Sequence, residues 1–253
     1  MVKKARKRRK KRHVRASRQS HRLGAAEYAA IPNQVFLGIP WKTVRPKYEK
    51  VADKLRKTFP ISFVIVGRDQ SQDAEDLLVV IKKRLLTSSH AIFDATGGNA
   101  NVSLEFGFAD AHDIPRALYL SVHRASRRAS KESWIIADLA GKKQNRYTTV
   151  QSLERLLRQF CQNHPYTKRV EQFLSKAVSR RKKGQRKRIR TLVLKILHQL
   201  DGDGRARRAD VVQQLQADPS AYSRDEVDSM ILCMHQGGLI TSLQGPYSTV
   251  TVK

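Results

Sequence analysis

The chain has 253 residues, 40% of them apolar, which is enough for one ordinary domain with a buried core and a second, smaller one. Its formal charge is +28, and the excess is local: residues 1–22 hold twelve Lys or Arg and no acid, and residues 179–190 hold eight more, again with no acid. Cys161 and Cys233 lie too far apart for a metal-ligand spacing, and no apolar run approaches the roughly 18 residues of a membrane span. A soluble, cytoplasmic protein in a reducing compartment, without a bound metal, is expected.

Residues 1–32 read as a basic tail that stays solvated until it meets a polyanion, because like charges do not pack into a core. A short helix near 22–30 is compatible with the pattern. The candidate phosphate contacts of the tail are Lys3, Lys4, Arg6, Lys7, Arg8, Arg9, Lys10, Lys11 and Arg12. A basic linker at 179–190 adds Arg180, Arg181, Lys182, Lys183, Arg186, Lys187, Arg188 and Arg190. Nucleic acid is the expected partner of both runs.

Residues 33–178 alternate strands and helices. The apolar run QVFLGI at 34–39 reads as a strand covered on both faces, and 41–59 has helical spacing that Pro60 stops. Strands are expected at 61–66, 90–94, 116–122 and 134–139, and helices at 73–86, 102–112, 150–161 and 166–178. Helices of about 11 to 19 residues between strands call for right-handed crossovers and a parallel sheet of five strands, flavodoxin-like or Rossmann-like.

From 191 onward the pattern changes to a small separate domain. Helices are expected at 189–200, 208–216 and 223–236, the last opened by the capping box Ser223-Arg-Asp-Glu226, and 239–243 can pair with 248–252 as a hairpin. Three short helices and a hairpin, joined through MILCMHQGGLI, resemble a winged helix-turn-helix. The third helix begins Arg224, Asp225, Glu226, Asp228, which phosphates would repel. Either later residues read bases, or the module binds protein, or it positions a nucleic acid held by Arg205, Arg207, Arg208 and the 180–190 run.

The stretch 91–110, AIFDATGGNANVSLEFGFAD, combines a strand end, a Gly-Gly turn and a helix carrying a carboxylate. Ligands of open α/β sheets sit above the carboxyl ends of the strands, so this is the candidate site. Asn99 and Asn101 can cap the helix. Counted from Asn101, Glu105 falls four residues on, one past the capping-box position, and near enough to the helix amides to stay ionised. Such a carboxylate can attack an anomeric carbon or stabilise an oxocarbenium-like centre, while Asp94 orients a sugar hydroxyl or the leaving base. No phosphate-binding GxxxxGK[ST] loop, GxSxG elbow or HExxH pair is present.

The residues VFLGIP at 35–40 and FDATGGNANVSLEFGFA at 93–109 resemble the nucleoside 2-deoxyribosyltransferase-like and TIR-like superfamily, through Asp94, Thr96, Gly97, Asn99, Asn101, Val102, Glu105, Gly107 and Ala109. The resemblance spans roughly 33–150. It implies a flavodoxin-like fold and Glu105 as the glutamate that cleaves the N-glycosidic bond of NAD or another nucleotide. It further implies Asp94 beside it, and a ligand-binding mouth of Gly38, Pro40, Trp41, Thr96, Gly97, Gly98, Asn99 and Asn101. No second carboxylate closely precedes Glu105, which favours hydrolysis over transfer. Members fused to DNA-binding modules include anti-phage and retron-associated effectors, which implies a reverse transcriptase or other defence-system protein as a partner and admits a homo-oligomer. The alternative is a non-catalytic, nucleotide-sensing regulator that binds DNA or RNA.

Overall fold

A computed structural model describes residues 28–42, 44–66, 74–122, 139, 141–179, 181–217, 222–242 and 249–253, with only the backbone of 74–76 and 242. Of the tail expected at 1–32, residues 1–27, with Lys3 to Arg12 and most of the 22–30 helix, lie outside the described residues, as does Arg180, while Ile31 and Pro32 already belong to the first strand.

Five parallel strands form the larger sheet: β1 (Ile31–Gly38), β2 (Ser62–Val64), β3 (Ser88–Asp94), β4 (Arg116–Ser121) and β5 (Gln144–Tyr147), in the order β2-β1-β3-β4-β5. The fifth strand is not the expected 134–139 segment. Residues 134–138 lie outside the described ones, and Leu139 is helical. The sequence QNRY of β5 is polar because an edge strand needs only one inward anchor, here Tyr147, which is buried against the sheet.

The pleat sorts the core into two faces. Val35, Leu37, Ile39, Ile92 and Tyr119 face the helices α1 (Arg45–Arg56) and α4 (Val150–Asn163). Phe36, Ala91, Phe93, Leu118 and Leu120 face α2 (Ala74–Leu86) and α3 (Ala100–Ala111). The result is a Rossmann-like α/β layer with helices on both sides of a parallel sheet.

The rest of the chain folds on a second core. It comprises α5 (Pro165–Val178), α6 (Lys183–His198), β6 (Arg205–Arg207), α7 (Arg208–Gln216), α8 (Arg224–Gln236), β7 (Ile240–Ser242) and β8 (Thr249–Val252), the three strands forming an antiparallel sheet in the order β6-β8-β7. Two expectations change here. Residues 183–190 are not a linker but the first two turns of α6, whose apolar half Leu192, Val193, Ile196 and Leu197 anchors the basic half. Helix α5, expected to close the α/β domain, buries Tyr166, Val170 and Leu174 in this second core, and its Tyr166 hydroxyl donates to the Leu239 carbonyl at 3.1 Å. Among the described residues no helix is long and apolar enough to cross a membrane.

Charged and close-packed contacts join the two bodies. Arg84 of α2 donates to the Gly202 carbonyl and pairs with Asp203, Arg56 of α1 pairs with Asp201 at 2.8 Å, and His198 Nε2 donates to the Arg56 carbonyl at 2.6 Å. Gly204, with φ 68°, lets the turn pass over Ile31, whose Cγ2 would lie 2.8 Å from a Cβ there.

Beside this seam His164 caps α5. Its Nδ1 accepts from Tyr166 N at 3.2 Å, and its ring lies tilted at 57° to that of His90, with centroids 4.4 Å apart. Burial, and then the neighbouring His90, pushes the His164 pKa down to about 3. The unfolded chain binds a proton below about 6.5 that the fold refuses, so stability falls as pH drops from 6.5 towards 3. Between pH 7.5 and 5 the loss from this one residue is about 2 kcal/mol. His164→Asn, which keeps a capping acceptor, is expected to flatten that dependence in urea titrations at the two pH values; an unchanged slope would contradict the assignment.

Candidate functional site

Strand β1 ends at Gly38 and β3 at Asp94, and the sheet order reverses between them. At that crevice lies a cleft of about 670 Å³. Its lining includes Gly38, Pro40, Trp41, Thr96, Gly97, Asn99, Asn101 and Glu105; Gly98 is not part of it.

The turn is built by its own side chains. Thr96 N donates to Asp94 Oδ1 at 2.9 Å, closing an Asx turn, and Ser121 N donates to Thr96 Oγ1 at 2.8 Å, pinning the turn to the end of β4. Gly97 and Gly98, at φ 76° and 62°, then reverse the chain in the left-handed region that favours glycine. Asn99 caps α3, accepting from Asn101 N at 2.9 Å and Val102 N at 3.3 Å. The cap is therefore Asn99 and not Asn101, and Glu105 lies six residues beyond it, past the first turn where helix amides favour a carboxylate.

Glu105 is instead governed by burial. It stands half-buried on the α2/α3 side, its Oε2 only 2.6 Å from where a Cβ on Gly38 would be, and Phe93 lies equally close to that point. Among the described residues no hydrogen-bond donor or cation reaches its carboxyl. Desolvation pushes its pKa up to about 7, so the expectation of a carboxylate held ionised by the helix is corrected to one that titrates near neutrality.

Asp94 does not join it. Residue 94 has the opposite pleat parity to Phe93, so its carboxylate points to the α1/α4 side, with 0% exposure. There it accepts from Tyr48 Oη at 2.9 Å and Tyr147 Oη at 2.6 Å. Burial first, then the Asp94 carboxylate, holds both phenols well above their ordinary pKa. The expected catalytic Asp94 is corrected to a buried tie between α1, β3 and β5.

The mouth is apolar. Trp41, expected either in the core or on a ligand, is 51% exposed at the rim, with the Arg45 guanidinium 4.7 Å from its ring centroid. Leu78 and Leu104 are 43% and 66% exposed beside it, and Lys42 is the only described cation in the lining. The α2 residues Leu77, Leu78 and Ile81 had the spacing of an ordinary core stripe. Their signal was the unbroken run LLVVI at 77–81, too wide for one helical face, so part of it had to point outward.

Of the expected phosphate contacts, Arg181, Lys182, Lys183, Arg186, Lys187 and Arg188 are exposed around the start of α6, and Arg190 is half-buried. Three have internal duties. Arg186 donates to the Arg181 and Ser179 carbonyls, Arg188 forms a two-pronged pair with Glu226 at 2.9 and 3.1 Å, and Arg190 pairs with Glu171 at 2.9 Å. The hydrogen bonds from Arg188 hold the Glu226 carboxyl below its ordinary pKa.

No family model matches the sequence, and no curated protein matches it significantly.

Asp94→Ala leaves two buried phenol hydroxyls without an acceptor and is expected to lower stability by about 3 kcal/mol in urea denaturation, against about 1 kcal/mol for Tyr147→Phe. Full stability in Asp94→Ala would return that residue to the cleft chemistry. Glu105 behaves oppositely. Its folded pKa is raised, so the unfolded chain releases the proton first and stability declines as pH rises from about 4.5 to 7. Glu105→Gln should therefore stabilise the fold by about 3 kcal/mol at pH 8 and by little at pH 4.5; equal effects at the two pH values would show an unperturbed carboxyl.

Proposed function

We propose that the protein is a nucleotide-binding N-glycosidase that hydrolyses the N-glycosidic bond of NAD or a related nucleotide, acting as a defence effector under the control of a nucleic acid. The observation that carries this reading is Glu105: a solitary carboxyl, half-buried in an apolar cleft at the strand ends, with its pKa near 7. The 2-1-3-4-5 strand order supports the flavodoxin-like assignment. The helices α6, α7 and α8 with their three-stranded sheet support a winged helix-turn-helix.

The chemistry follows from what surrounds the carboxyl. Once ionised, Glu105 attacks C1′ or stabilises the oxocarbenium-like centre as the bond from C1′ to the base nitrogen breaks. The bonding pair leaves with the base; water then adds its oxygen at C1′, breaking the bond to Glu105 where one has formed and restoring the carboxylate, and loses a proton to solvent. Among the described residues no second acid lines the cleft to protonate a departing base. This favours a base that departs neutral without protonation, as the pyridinium of NAD does, over a purine. Lys42 is available to a phosphate and the exposed Trp41 to a ring.

The test is to incubate the full-length protein with NAD and with purine nucleotides, with and without duplex nucleic acid, and to quantify released base by chromatography. Release from NAD is expected, with a rate that rises with pH through about 7, and Glu105→Gln is expected to lower it at least about 100-fold. A fully active Glu105→Gln would overturn the mechanism. Ligand binding without release of any base would replace the enzyme by a nucleotide-sensing regulator.

A further inference from the structure

The beginning of α6 breaks the rules by which helices are stabilised. Its first turn carries no acid, and Lys183, Arg186 and Lys187 crowd the positive end of the helix dipole. Lys183 and Lys187 are one turn apart, as are Arg186 and Arg190, so each pair repels. Arg186, Arg188 and Arg190 are relieved by internal partners. Arg181, Lys182, Lys183 and Lys187 have no acidic partner among the described residues, and all four are exposed. A helix that tolerates this self-repulsion is arranged for an anion that arrives from outside.

Helix α8 is the opposite case. After Arg224 it carries no Lys or Arg, and its outward stripe is Asp225, Ser229, Leu232 and Gln236. Its acidic start is already engaged, with Glu226 on Arg188 and Asp228 on Arg208 at 2.7 Å. That stripe carries no cation, and its one charge is the carboxylate of Asp225.

The kind of nucleic acid also follows. Binders of single strands stack bases on exposed aromatic rings. Among the described residues no aromatic of the second body is exposed: Tyr222, under the Arg188 guanidinium at 4.7 Å, is 4% accessible. A charged surface with no exposed ring among its described residues suits the phosphates of a duplex.

We propose that Arg181, Lys182, Lys183 and Lys187, at the start of α6, hold the phosphodiester backbone of a nucleic-acid duplex, and that the outward face of α8 does not read it. The proposal rests on the reading above only in taking nucleic acid as the partner.

The experiment measures binding of the full chain to a 20-base-pair duplex over a salt series, and compares wild type with Lys182→Gln/Lys183→Gln/Lys187→Gln and with Ser229→Ala/Leu232→Ala/Gln236→Ala. Removing three phosphate contacts should weaken binding at least about tenfold and make the log-log salt slope shallower by about 2 to 3. The slope that remains belongs to the tail. The α8 variant should bind within about twofold of wild type, and a scrambled duplex sequence should bind equally well. Thermal melting controls for folding, because neutralising repelling cations should not lower the midpoint. An unchanged slope in the lysine variant, a loss of affinity in the α8 variant, or an equal slope change on a single strand of the same length would overturn the proposal. So would polyglutamate competing as well as the duplex, since the surface would then fit an acidic protein. Base release plays no part in these readouts, so failure of the N-glycosidase reading leaves the test intact.

Discussion

The wall of the cleft is packed around the end of β1, a residue without a side chain. A Cβ on Gly38 would meet Phe93 at 2.5 Å and the Glu105 carboxyl at 2.6 Å, both on the α2/α3 side of the sheet. Phe93 has no room to yield, because it is fully buried and packs against Phe106, with ring centroids 5.4 Å apart, whereas the Glu105 carboxyl ends a flexible side chain on the cleft wall. The glycine lets the carboxyl lie close over the end of β1, and burial moves its titration to neutrality.

Pleat parity then divides the two acids that the sequence puts eleven residues apart. Phe93 and Gly38 are register partners and share a face, so the next residue, Asp94, must turn away from it. One acid becomes a half-buried group at a ligand-sized opening and the other a buried acceptor for two phenols. The cost of sequestering Asp94 is met by three hydrogen bonds, from Tyr48, Tyr147 and the Thr96 amide, which is also why the Gly-Gly turn that follows has a fixed starting point.

Much of this was legible in the residues. Continuous apolar runs gave β1 and β3, the Gly97-Gly98 pair gave the turn, and the position of Glu105 beyond it gave the candidate acid. What misled was local chemistry with two readings. Asn99 and Asn101 are equally good caps on composition, and only the geometry after two left-handed glycines selects Asn99. The side to which Asp94 points could have been counted from Phe93, but that its partners are Tyr48 and Tyr147, 46 and 53 residues away, could not. β5 carries one inward residue in four and has no period to detect. The basic run 179–190 looked like a linker because its charge hides a helix that only its apolar continuation stabilises.

That continuation gives α6 two unlike ends. The first carries cations that repel one another; the last, through His198 and the Asp201–Gly204 turn, rests on Arg56 of α1 and Arg84 of α2. Those helices border the cleft in their turn: Leu77, Leu78 and Ile81 of α2 line it, and Arg45 at the start of α1 lies against Trp41. A helix of 16 residues spans about 24 Å, so the charged surface and the seam belong to one stiff element, not to two domains on a tether. The contacts it makes at the seam are ionic and short-range while its own packing is apolar, through Leu192, Val193, Ile196 and Leu197. Moving α6 without breaking its core means moving the second body with it, and the Arg56 and Arg84 pairs are then the contacts that strain between the basic surface and the helices that border the cleft.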